Sequence, residues 1–206
     1  MTPPPRALLA LAAALAACAA PRQPWREAAP PEVLLEILPR DAAVSLDGAP
    51  LAPGVRTVAV RDPEKRYRFS FRAAGFEPAE REEQGVKLAG ARLGVALRPE
   101  GFGSERRLEL DEGEGLARAA ALLERRGTHQ AALDYAERAI ALTPEAPLPH
   151  LAAGDAARAL GRRARAIQAY SAYLTLAPEA PDRAAVTARV EALRGDLTIP
   201  ATGGGR

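Results

Sequence analysis

Surface chemistry needs nucleophiles, titratable pairs or metal ligands, and this chain has few of them. It contains one Cys, Cys18, and two His, His129 and His150. One Cys forms no internal disulfide, and with two His it falls short of the usual four-ligand zinc set. No Ser and Asp flank either His in a hydrolase-like pattern. Glu80, Glu82 and Glu83 form a charge run with Arg81 and read as a solvated strand. Gly101-Phe102-Gly103 lacks the third Gly and the apolar helix start of a phosphate loop. The 28 basic and 26 acidic residues leave a net charge of +2. That balance gives no electrostatic footprint for nucleic acid. The expectation is therefore no enzyme, no metal, no cofactor and no nucleic-acid partner. Cys18 remains as the residue with chemistry to do.

The elements around Cys18 suggest what that chemistry is. Met1 to Arg6 carries one positive side chain, and Ala7 to Ala17 is an unbroken Ala/Leu run. A spanning helix needs about 20 apolar residues, so the run is too short to stay in a bilayer. Its length suits a cleaved secretory leader. It ends in Leu15-Ala16-Ala17-Cys18. This resembles the lipobox of bacterial lipoproteins. The resemblance implies cleavage after Ala17 and a diacylglycerol on the Cys18 sulfur. Residue 19 is Ala rather than Asp, similar to the pattern that sends lipoproteins to the outer membrane. Residues 1–17 are thus expected to be a signal peptide. Residues 18–31, rich in Pro and Ala, are expected to be a tether facing the periplasm.

Residues 32–98 alternate apolar and polar. Leu35 and Ile37, Val44 and Leu46, Val58 and Val60, Tyr67, Phe69 and Phe71, and Leu93, Val95 and Leu97 each mark one face of a strand. Turn formers separate them: Pro39, Asp47-Gly48, Pro53-Gly54, Asp62-Pro63 and Gly75. Short strands at this spacing predict a small all-β antiparallel sandwich. The stretch Pro39-Arg40-Asp41-Ala42-Ala43-Val44-Ser45-Leu46-Asp47-Gly48, then Pro53-Gly54, then Gly75-Phe76-Glu77-Pro78 resembles the PEGA domain of bacterial envelope and sensor proteins. Asp41 stands where that family has Gly. The resemblance implies no catalysis, and a surface that binds envelope glycan or protein.

Residues 99–111 shift to Gly, Glu and Arg and read as a linker. Residues 112–195 then repeat with a period of 34. Gly127 recurs as Gly161, Ala132 as Ala166, Leu142 as Leu176, Pro144 as Pro178 and Ala120 as Gly154. This period and pattern resemble the tetratricopeptide repeat, a helix-turn-helix unit. The usual aromatic of the second helix is Tyr170, while Tyr135 sits one step off it in the first copy. A capping helix is expected from Pro181 to about Arg194, and residues 196–206 are expected to be a disordered tail. The fold class is thus multi-domain, an all-β PEGA-like sandwich plus all-α repeat hairpins with a C-terminal cap. Two repeats are few. The array is expected to lean on the sandwich, on a second copy or on a partner.

The repeat resemblance implies a concave face lined by the first helix of each unit. Mapped here, it gives Glu114, Ala117, Ala121, Glu124 and Arg125, then Leu148, Leu151, Asp155, Arg158 and Ala159, with Arg189 on the cap. Mixed charge and small side chains suit an extended peptide or a partner helix. The turn residues Arg162, Arg163 and Arg165 read as solvated. The expected function is a membrane-anchored adaptor that docks a protein partner. The alternative is a structural protein whose sandwich binds glycan and whose helices form a homodimer. The anchor has its own test. Cys18→Ser is expected to abolish palmitate labelling and move the protein from the membrane to the soluble fraction. Unchanged membrane fractionation would contradict a lipid on Cys18.

Overall fold

The computed structural model describes residues 29–102 and 112–195. The expected signal peptide, Cys18, most of the expected tether, the expected linker from residue 103 and the expected tail beyond Gly195 lie outside the described residues. The described residues from Pro31 onward belong to one compact unit. Within it the chain is a mixed α/β protein. No described helix is long and apolar enough to cross a membrane.

Among the described residues seven strands come first: β1 Glu32–Leu38, β2 Ala43–Leu46, β3 Ala49–Pro50, β4 Thr57–Ala59, β5 Arg66–Arg72, β6 Ala79–Gln84 and β7 Arg92–Ala96. The short helix α1, Gly85–Leu88, sits between β6 and β7. One sheet has the order β4-β1-β7 and the other β3-β2-β5-β6. Val33, Leu35 and Ile37 of β1 share a buried core with Val44, Phe69 and Phe71 of the second sheet. The Phe69 and Phe71 rings stack with centroids 6.3 Å apart on one face of β5. The hairpin from β2 to β3 turns on Asp47-Gly48, both at positive φ (50° and 84°). That matches the twist a two-residue hairpin needs. The Asp47 carboxylate also accepts the Arg68 N–H at 2.9 Å and meets Lys65 Nζ at 2.8 Å. Both contacts hold its pKa below the usual carboxylate range, the Arg68 bond most.

One expectation is corrected. The sheets are not all antiparallel: β1 and β7 run parallel, with Leu35 beside Leu93 and Ile37 beside Val95. Alternation reports which face a side chain takes, and says nothing of strand direction. The chain reverses through α1 and returns to the first sheet in the direction of β1.

Among the described residues five helices follow: α2 Gly113–Arg125, α3 His129–Leu142, α4 Pro147–Ala159, α5 Arg163–Leu176 and α6 Arg183–Gly195. The bounds of α2 and α3 recur in α4 and α5 with an offset of 34 residues. The turns recur too. Gly127 and Gly161 take φ of 79° and 70°. Thr128 and Arg162 donate their N–H to Leu123 and Ala157, five residues back. This is the left-handed helix stop that only Gly adopts cheaply. The cap starts two residues later than expected. Pro181 precedes it, and the Asp182 carbonyl accepts the Val186 N–H.

Tyr135 joins the helices to the strands. It is fully buried. Its hydroxyl donates to the carbonyl of Leu97, with Leu38 O 3.2 Å away. Its ring stacks on Phe76 at 6.1 Å. Burial pushes the phenol pKa far above its ordinary value. Beside it, buried Asp134 meets Arg40 Nε at 3.4 Å and accepts from Gln130 at 2.9 Å. Glu36 pairs with Arg92 of β7 and with Arg138 of α3. The short array thus rests on the strands. Tyr135→Phe is expected to cost about 1–3 kcal/mol, because it leaves a buried carbonyl without its donor. Urea unfolding should show a lower midpoint at unchanged slope. An unaltered midpoint would contradict this role.

Candidate functional site

The site is built on α2, α4 and α6. Positions offset by 34 residues fall in columns on one face: Ala121, Asp155 and Arg189 form one, and Glu124 and Arg158 begin another. Tyr170 of α5 enters between them. Its hydroxyl donates to Asp155 Oδ1 at 2.6 Å and lies 3.3 Å from Arg158 Nε, which donates to it. Arg189 Nη1 reaches the same Asp155 oxygen at 3.0 Å. Burial first, and then the bond to Asp155, push the Tyr170 pKa up to about 12. The phenol stays protonated and works as a fixed donor, not as an acid or base.

The Tyr170 ring can enter because position 154 is Gly. A Cβ there would lie 2.5 Å from two ring carbons. The equivalents one repeat earlier are Ala120 and Ala136, both fully buried. Each pair fills the same gap with a different division of volume.

The face therefore brings together three residues expected there: Asp155, Arg158 and Arg189. They are tied to one another and to Tyr170, so they shape the surface as much as they offer it. The repeat resemblance names Tyr170 only as the usual aromatic of the second helix, and gives it no part in orienting this charge cluster. The signal was the spacing of 15 residues between Asp155 and Tyr170, which gains meaning only once α4 and α5 pack. Glu114 pairs with Arg118 one turn along α2. Glu124 is half-buried, while Arg125 is exposed. Leu148 is 55% exposed and Leu151 half-buried, three residues apart on α4. They supply the apolar part of the face. Ala117 is the exception among the expected lining. It is 3% exposed and belongs to the core.

The other singled-out residues serve structure. Arg162 donates to Gln130 Oε1 at 2.6 Å, and Arg165 pairs with Glu137 at 3.3 Å. These turn arginines tie one helix pair to the next. His150 Nε2 lies 2.8 Å from the Pro144 carbonyl. His129 opens α3 with its Nδ1 buried and unpaired among the described residues. Tyr173 donates to Asp182 at 2.5 Å and so fixes the start of α6. No protein-family model and no curated protein matches this chain.

The complementarity of Gly154 and Tyr170 can be measured. Gly154→Ala is expected to cost about 1–3 kcal/mol, since the ring must move. In a Tyr170→Ala background, which restores the Ala/Ala arrangement of the first pair, the same change should cost little. Equal costs in both backgrounds would show that the two residues do not share this space.

Proposed function

We propose that this chain is a lipid-anchored envelope adaptor. In this reading Cys18 carries the lipid and residues 18–31 set the reach. The strands form a PEGA-like domain, and α2 to α5 are two tetratricopeptide repeats capped by α6. The repeat face docks a segment of a protein partner. The observation that carries this reading is the exposed Leu148 with half-buried Leu151, beside the Asp155–Arg189 pair and Arg158. A large exposed apolar side chain beside pre-oriented charges suits an amphipathic helix or an extended segment. Tyr170 holds those charges before any ligand arrives, which lowers the cost of ordering them on binding.

The chemistry favours a partner segment with an apolar anchor for Leu148 and Leu151. It should also carry a carboxylate toward Arg158 and Arg189. The lipid would confine such docking to the membrane surface, probing only partners within reach of the tether.

The exposure of Leu148 gives a test that leaves the fold intact. A photo-crosslinking residue placed at 148 in cells is expected to yield discrete cross-linked species. The same residue at Val86, which is 64% exposed on α1, should not yield them. Leu148→Glu should abolish capture from a second crosslinker at Arg125. Equal labelling from 148 and 86, or none from 148, would overturn the adaptor reading.

A further inference from the structure

We propose that the free edge of β7, bordering a cavity that Arg56 and Arg81 also line, is a second docking site, for an extended acidic peptide. It lies between the strands and α3 and does not depend on the face of α2, α4 and α6. β7 ends its sheet, with β1 as its partner on one side. The parallel ladder is bounded by Leu34 N–H to Ala91 O and Leu97 N–H to Leu38 O. Backbone groups in such a ladder alternate in direction. Those of Leu93 and Val95 therefore point to β1, and those of Arg92, Gly94 and Ala96 point outward. Farther along the same edge, the Arg98 carbonyl accepts the Glu77 N–H. The open stretch is thus Arg92 to Ala96. Among the described residues nothing pairs with the outward groups of Gly94 and Ala96.

An open edge is usually guarded by charge, proline or a bulge. β6 follows that rule with Glu80, Glu82 and Glu83. At Gly94 a Cβ would meet nothing within 4 Å. Gly94 and Ala96 instead border a half-open cavity of about 780 Å³ that is partly floored by Leu35 and Ile37. That volume is within the range of ligand sites.

Charge decides the occupant. Among the described residues four arginines line the cavity. Arg40 is matched by Asp134 and Glu137, and Arg138 by Glu36. Arg56 donates to the carbonyls of Val55 and Arg40, and Arg81 to that of Glu80. Among the described residues neither has a carboxylate partner. Two guanidinium groups without a carboxylate partner, in the cavity that the free edge borders, suit a segment that adds main-chain bonds to β7 and carries carboxylates. The same surplus opposes pairing with a second copy of this edge.

The test uses the full chain and two fluorescein-labelled peptides, one alternating Glu and Val, the other Lys and Val. Fluorescence anisotropy should show binding of the Glu-Val peptide, weakened by salt, and none of the Lys-Val peptide. Arg81→Glu should weaken binding about tenfold or more. Gly94→Pro should do likewise, since it removes an outward N–H while an edge strand still accepts Pro. Circular dichroism should show both variants folded. Three results would overturn the proposal: equal binding of both peptides, Glu-Val binding unchanged in both folded variants, or self-association that Gly94→Pro abolishes.

Discussion

A tyrosine buried in an apolar core must place its hydroxyl against an acceptor or lose several kcal/mol of hydration. Tyr135 meets that constraint in another part of the chain. Its acceptor is the carbonyl of Leu97, with that of Leu38 in reach, where β1 and β7 end side by side. Three elements are committed together by one group. The ring fills the remaining gap against Phe76, and the adjacent Asp134 finds Arg40 from the loop after β1. A buried carboxylate gains little net stability from such a pair, but loses much without it. Burial raises the Asp134 pKa despite the arginine.

The other two helical tyrosines obey the same rule with local acceptors. Tyr170 uses Asp155 of α4 and Tyr173 uses Asp182 before α6. The array is thereby tied at each step: to the strands by Tyr135, between α4 and α5 by Tyr170, and to its cap by Tyr173. Alanines do the rest. Ala119, Ala120, Ala132, Ala136, Ala153 and Ala166 are fully buried. Side chains this small let helix backbones approach closely and keep interior density without bulk. Val186 and Val190 of α6 close the far end. A short array is sufficient because each end is covered, one by strands and one by a cap.

Much of this was legible in the sequence. The 34-residue period set both helix pairs, because Gly127 and Gly161 carry a local conformational demand that needs no tertiary knowledge. The alternation at Leu35, Ile37, Phe69 and Phe71 placed the core face of β1 and β5. What stayed hidden depends on packing. The displacement of Tyr135 by one position was visible as an oddity. On a helix one residue is a turn of about 100°, enough to aim the ring at the strands in place of α2, but its target lies 38 residues away. The parallel partnership of β1 and β7 has no local signature. Asp155 read as a free groove charge because its spacing from Tyr170 means nothing until α4 and α5 pack.

The central claim is that strands and helices are one cooperative unit held through the Tyr135 seam. Native-state hydrogen exchange on the full chain tests it most directly. The account predicts that amides in β1 and β7 and those in α3 share one opening free energy, which falls together in Tyr135→Phe. Protection in β1 and β7 that persists while α3 opens at a lower free energy would contradict it.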